Sequence, residues 1–407
     1  MSEIYRFLGA LAVLIVTPVL LGADAKTAQP EAETIAGTEG ILATYSATGG
    51  AVINLLENTD GTDGGPNKLL SNLKDVRFYS VQRGDNGLIM ADDVVLIKIN
   101  SQWAERGGTN TDLLKGVIEY IINHPSGFKG EIIIADNGQG MFGSEGKGGR
   151  LDWPRPNSKD QKQSAQNVID HFSEFGIKIS GISWDKITKK RVAEFSSGDN
   201  NDGFVVLPGV KNTGIQISYA KFTTVYGTPV SFKFGVWNEA SKTYDERRLR
   251  LINIPVLKVH SQYHVTGAVK AYMGIPSNAL TDMSAHKSVG TGGMGTLMVH
   301  TRFPLLNILD MIYICPQRGP PSAYSTAVQK NMIAASTDPF ALDVWASTNI
   351  LIPAAEAAGY TRIKSMYSDS REPGSFGYWL SKSAAEVKAA GIPVVTNSEN
   401  IAVYNIE

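Results

Sequence analysis

The chain has 407 residues, of which 43% are hydrophobic and 19% charged, and its formal net charge is -1. That is the composition of an ordinary globular chain, long enough for one large domain or two lobes; the near-zero charge gives no global basis for binding nucleic acid or anionic lipid. A single cysteine, Cys315, excludes an intrachain disulfide, an iron–sulfur cluster and a cysteine-based zinc site within the chain.

Residues 1–25 read as a secretory signal peptide. Arg6 supplies positive charge, Phe7 to Leu21 is nearly all apolar, and Ala23-Asp24-Ala25 fits the small-x-small cleavage rule. The apolar run is short for a membrane span and Pro18 interrupts it, so no stable span is expected after cleavage and the protein is expected outside the cytoplasm, periplasmic or secreted. Residues 26–75 read as a linker and lead-in, with a polar loop at 57–67, and the α/β domain is expected over 76–407.

Val94 to Ile99 is a short β-branched run, as in a buried strand. Thr111 to Ile122 carries a helical stripe at Leu113, Leu114, Val117, Ile118, Ile121 and Ile122, and Glu131 to Ala135 reads as a second buried strand. Strand, helix and strand in this order predict a βαβ unit in a parallel sheet. A helix over 158–175 and a strand over 177–182 follow. Residues 185–248 change character to polar and alternating, which predicts an inserted antiparallel β region, a lobe or rim over the carboxyl edge of the sheet. Leu251 to Leu257 and Leu305 to Ile314 read as strands. Asp338-Pro339 reads as an N-cap and first helical residue, Ser383 to Ala390 as a last helix, and 392–395 and 401–403 as closing strands. The fold class expected is a Rossmann-like, largely parallel sheet with helices on both faces, plus the inserted β region.

Gly138-x-Gly140-x-x-Gly143 follows a predicted strand, but more glycine and two prolines follow it instead of a helix, so it reads as a loop bordering a site and not as a dinucleotide fingerprint. Gly290-x-Gly292-Gly293-x-Gly295 lacks the lysine and hydroxyl of a P-loop and reads as a flexible segment or lid. The densest chemistry runs from Leu257 to Lys270, where Lys258 and His260 share one face of an extended segment and His264 follows. With His286 this gives candidate acid/base residues Lys258, His260 and Lys270, and candidate metal ligands His264 and His286. Asp343, one turn into an apolar helix, needs either a cation or a cleft.

Val95-Leu96-Ile97-Lys98-Ile99-Asn100, Asn253 to His260, Val265 to Lys270, Met273-Gly274, Gly319-Pro320 and Asp338 to Asp343 together resemble the domain-of-unknown-function 362 (DUF362) family, in the same order over about residues 90–350. The resemblance carries no biochemical assignment with it; Lys98, Asn100 and Asp343, which fall within its motifs, are the candidate cofactor-binding positions. Members with a ferredoxin-like cysteine module imply clusters that this chain cannot hold. A more distant similarity, to the nickel-pincer lactate racemase family, rests on the spacing of His260, Lys270 and His286; it implies a cofactor-bearing lysine, a nickel-binding His286 and a proton-transferring His260. The acidic residue and histidine that family carries upstream are replaced here by Asn100 and by Asp136-Asn137-Gly138-Gln139. An unmodified Lys270 is therefore expected, in a site for a small anion with a divalent metal as one candidate partner. The implied function is that of a racemase-, isomerase- or oxidoreductase-like enzyme, or of a binding or accessory protein that holds the same ligand without turnover.

Overall fold

The computed structural model describes residues 35–82, 85, 87–139 and 149–407. The expected signal peptide, and residues 140–148 of the glycine-rich loop, lie outside the described residues. In chain order the elements begin with helix α1 (Glu39–Thr48), strand β1 (Ala51–Glu57), α2 (Gly65–Ser71), β2 (Arg77–Tyr79) and β3 (Gly87–Ile89). Then come β4 (Val94–Ile99), α3 (Thr111–Ile122), β5 (Glu131–Asp136), α4 (Ala165–Glu174) and β6 (Ile179–Ser183). The inserted strands are β7 (Gly203–Val210), β8 (Ile215–Thr223), β9 (Pro229–Ser231), β10 (Gly235–Asn238) and β11 (Thr243–Asp245). The chain continues through β12 (Leu249–Ile254), β13 (Val256–His260), β14 (His264–Thr266), α5 (Ser284–Ser288) and α6 (Gly293–His300). It ends with β15 (Leu306–Cys315), β16 (Val328–Ser336), α7 (Pro339–Ala346), α8 (Ile352–Ala357), α9 (Phe376–Ala389) and β17 (Ile401–Asn405).

Ten strands form one sheet whose main path is β17-β1-β16-β15-β12-β4-β5-β6, with β13 and β14 off it. Strands β12, β4, β5 and β6 are mutually parallel and β15 runs parallel to β12, whereas β16 is antiparallel to both β15 and β1. The α/β architecture, largely parallel sheet and separate antiparallel β region are thus as the pattern predicts. The order carries a further consequence. From β4 the chain steps outward to β5 and β6, then returns to place β12 on the other side of β4. The crevice between β4 and β12 is therefore a topological switch point, where the ends of parallel strands leave room for a ligand.

Local chemistry sets the boundaries. Asn110 caps α3 by accepting the N–H groups of Asp112 and Leu113. Ser164 and Asn167 form a capping box that starts α4 at Ala165, so residues 158–164, expected as helix, are loop. Asp338 caps α7 ahead of Pro339. Pro255, which has no N–H to give, separates β12 from β13, and β13 then pairs with β14 and β15. Residues 392–395 are not a strand; the sheet is closed by β17 alone, parallel to β1.

The central strands of the sheet are buried on both faces. Val95, Ile97 and Ile99 of β4 pack with Leu113 and Val117 of α3 and Val168 of α4. Val94 and Leu96, facing the other way, share a cluster with Ile133, with Phe204, Tyr219, Phe222 and Phe232 of the insertion, and with Leu297, Phe340 and Trp379. The antiparallel strands, ordered β11-β10-β9-β8-β7, therefore cover a face of the main sheet instead of rimming its carboxyl edge. Arg302 bolts them on: its buried guanidinium donates to the carbonyls of Phe232, Lys233, Glu246 and Leu249.

Two further expectations change. The lead-in assigned to 26–75 contains α1, β1 and α2, and β1 sits between β17 and β16 in the main sheet, so the core begins well before residue 76. The glycine-rich stretch at 290–295 is no lid. It forms a 3-10 turn and the start of α6, with Gly293, Met294 and Gly295 buried and α6 packed on α9. No helix among the described residues is long and apolar enough to cross a membrane.

Candidate functional site

At the carboxyl ends of β4, β5 and β13 lies a cavity of about 230 Å³, below the roughly 300–1,000 Å³ of sites for drug-sized ligands. It suits a molecule of a few heavy atoms. Lys98, Asn100, Lys258, His260, Lys270 and His286, six of the residues singled out from sequence, all line it. The insertion contributes no lining residue among those described.

Three lysines enter from three segments. Lys98 ends β4 and is 1% exposed, with Nζ 3.4 Å from Oδ1 of Asp136 at the end of β5. The other oxygen of that carboxylate accepts the N–H and hydroxyl of Ser101 at 3.0 and 2.9 Å. Lys258, in β13, donates to the Gly107 carbonyl at 2.5 Å. Lys270, at the start of a 3-10 turn over Lys270–Gly274, makes no hydrogen bond or ion pair with the described residues; its Nζ sits 5.5 Å from the centre of the Tyr263 ring. Burial lowers all three lysines below their ordinary value. Lys258 and Lys270 come down to about 7, and for Lys270 the positive charges of Lys258 and Lys98 add to the effect of burial.

His260 has a defined tautomer. Its Nδ1 accepts the backbone N–H groups of Gln262 and Tyr263, both at 3.1 Å, so Nδ1 carries no proton and the neutral ring holds it on Nε2. Burial, followed by the charge of Lys270, pushes the ring far below the ordinary imidazole value. Of the acid and base roles expected of His260, this geometry favours the donor: the ring's one basic lone pair, on Nδ1, is engaged by two backbone N–H groups, and what the ring offers is an Nε2–H donor. His286 lies beyond it, with ring centres 6.2 Å apart, and is lowered to about 4 by burial and then by Lys270. Tyr263 ties this wall together by donating its hydroxyl to the His286 carbonyl at 2.5 Å.

Two expected site residues stand outside the cavity. His264 is paired in register with His260 across the β13–β14 hairpin, but its Nε2 lies 3.5 Å from Arg362. It does not join His286, and among the described residues no three His, Cys, Asp or Glu side chains group as a metal would need. Asp343 meets neither a cation nor the cleft. Its carboxylate accepts the N–H groups of Ala268 at 2.6 Å and Val269 at 3.0 Å, and burial raises it to about 7 against those two bonds. Gly267 explains the motif that precedes Lys270: a Cβ there would fall 2.2 Å from Asp343 Oδ1, so glycine lets α7 hold the loop that delivers the lysine.

The sequence reading missed Asp136, Trp103 and Thr266. Asp136 had a legible signal, a carboxylate closing a buried strand of a parallel sheet. Trp103 Nε1 and Thr266 Oγ1 had none; both line the cavity, buried and without a hydrogen-bond partner among the described residues. A small ligand with acceptor oxygens would satisfy them. The proton-transferring His260 implied by the distant resemblance is not reproduced in this wall, because its Nδ1 is engaged by two backbone N–H groups.

No curated protein and no solved structure matches the chain, so the likeness to the lactate racemase family is not shown. One family model does match, described as a domain of unknown function (DUF362), over residues 236–348. That segment holds Lys258, His260, Lys270 and His286, and the chain thus carries a DUF362 domain built around the lysine-rich wall of this cavity.

Proposed function

We propose that the cavity is the site of a small carboxylate-bearing molecule. Lys98 and Lys258 hold the carboxylate, His260 Nε2–H donates to a second oxygen, and Lys270 acts on the ligand as an acid/base or nucleophilic amine. The observation that carries this is the convergence of three buried lysines on one small cavity with one carboxylate, Asp136, among its described lining residues. Buried cations without matching anions are costly, and a bound anion supplies what is missing. Lys258 already gives one hydrogen to Gly107, which leaves its others for the ligand.

The enzymatic form of this reading rests on Lys270, a buried amine facing the ligand space with no hydrogen-bond or ion-pair partner among the described residues. The non-catalytic alternative, a binding or accessory protein using the same cavity, is favoured by the absence of a basic histidine at His260.

The reading is tested by calorimetry with lactate, acetate and phosphate in buffers of different ionisation enthalpy. Lys258 stands at about 7 in the free protein. An anion stabilises its charged form, so binding above that pH takes up a proton. Affinity is expected to be flat below pH 7 and to fall as pH rises above it. Failure of all three anions to bind, or binding without proton uptake at pH 8, refutes the proposal.

A further inference from the structure

The three lysines are not equivalent, and the difference lies in what each ammonium touches. Lys98 sits against Asp136 and Lys258 is hydrogen-bonded to a backbone carbonyl, so the nitrogen of each is already tied to a protein oxygen. Lys270 has neither kind of contact among the described residues, only the face of Tyr263, and it opens onto the same cavity. Across from it His260 presents an N–H and not a lone pair. His260 is therefore no partner base to Lys270 for proton abstraction and return. The arrangement supplies instead an amine with a free lone pair, a donor for a carbonyl oxygen, and two cations for a carboxylate.

We infer that Lys270 forms an imine with the carbonyl carbon of a small 2-oxo acid, an inference that rests on the carboxylate-site reading above. The Lys270 nitrogen attacks the carbonyl carbon while His260 Nε2–H hydrogen-bonds the oxygen, and a C–N bond forms. Both amine hydrogens leave with the carbonyl oxygen as water, giving C=N. Proton uptake at nitrogen then gives the iminium, and no oxidant or reductant is consumed. Desolvation beside other cations is a general way to keep a lysine amine nucleophilic near neutrality. The cavity, at about 230 Å³, accommodates a 2-oxo acid with a short side chain, and Trp103 Nε1 and Thr266 Oγ1 offer donors for its remaining oxygens.

The experiment incubates the purified chain with pyruvate or glyoxylate and cyanoborohydride at pH 8, followed by intact and peptide mass analysis. The expected result is one stoichiometric reduced adduct on the peptide containing Lys270. Excess lactate should prevent it, acetone, which lacks the carboxylate, should not form it, and Lys270→Arg and Lys270→Met should both lose it. Adducts spread over surface lysines, or placed on Lys258 or Lys98, overturn the inference. So does the absence of an adduct while lactate still binds by calorimetry, a result that leaves the carboxylate site standing and removes only the imine. If neither lactate nor the 2-oxo acids bind, the carboxylate site itself is refuted and the imine with it.

Discussion

Replacing Lys270 by Met should make the free protein more stable while removing its chemistry. The side chain is buried, and its folded-state value lies at about 7 against an ordinary 10.5. The unfolded chain keeps the proton up to 10.5, whereas the folded chain releases it near 7. Between those values the unfolded state binds more protons, so this lysine makes stability rise with pH. Below pH 7 the full cost of the buried ammonium is present, and above 10.5 none of it remains. The difference of about 3.5 units corresponds to about 5 kcal/mol at 1.36 kcal/mol per unit. Against this stand about 0.5–1 kcal/mol for the lost contact with Tyr263 and the imperfect fit of a thioether in a polar cavity. A net gain of about 2–4 kcal/mol at pH 6–7 is the expectation. Urea denaturation of both proteins at pH 6.5, 8 and 10 measures it, and the gap between variant and parent should shrink steadily across the series. A variant less stable than the parent at pH 6.5, or a gap independent of pH, would refute the account of Lys270 as a destabilised cation.

Other parts of the site and fold give sharp expectations of their own. Asp343→Ala strands the N–H groups of Ala268 and Val269 and should cost about 2–6 kcal/mol, at about 1–3 kcal/mol per buried orphan; unchanged urea midpoints would remove its role as a loop tether. In Gly274→Ala the new Cβ would lie 2.0 Å from Asp136 Oδ1 and 2.6 Å from Lys98 Nζ, so lactate affinity measured by calorimetry should collapse, and retained affinity would show that the Lys98–Asp136 pair is not part of the binding wall. Arg302→Met leaves four carbonyls of the insertion and its border without their donor and should cost about 3–5 kcal/mol. Deleting residues 185–248 should likewise yield no cooperatively folded core, because a face of the main sheet loses its cover; a folded, two-state deletion protein would restore the picture of a detachable lobe.

Much of the frame was legible in the sequence. The β-branched run at 94–99, the helical stripe at 111–122 and the Asp338-Pro339 cap are local signals, and the chain forms those elements where they stand. The candidate site was legible to the extent that unusual residues cluster in sequence: Lys258, His260 and Lys270 lie within one hairpin and its exit, and they do share the cavity with Lys98, Asn100 and His286. Two expectations failed for a common reason. His264 and Asp343 look chemically equal to their neighbours in one dimension, but the hairpin turns His264 toward Arg362, and α7 aims Asp343 at two backbone amides. Side-chain direction across a hairpin or behind a loop depends on packing partners far away in the chain.

What the sequence determined by itself was the strands and helices with strong local signals, such as β4, α3, β5 and the start of α7, because hydrophobic period, caps and prolines act over a few residues. Only the tertiary structure decided the order of the strands, and with it the crevice between β4 and β12 that brings Lys98 to Lys258 and Lys270. It also decided that the polar-looking insertion covers the sheet face, since alternation marks one buried side of a strand without saying what that side is buried against. The protonation pattern came last of all. An imidazole becomes a donor and an amine becomes a nucleophile through what touches them, and contacts across the fold are a property of the packed chain.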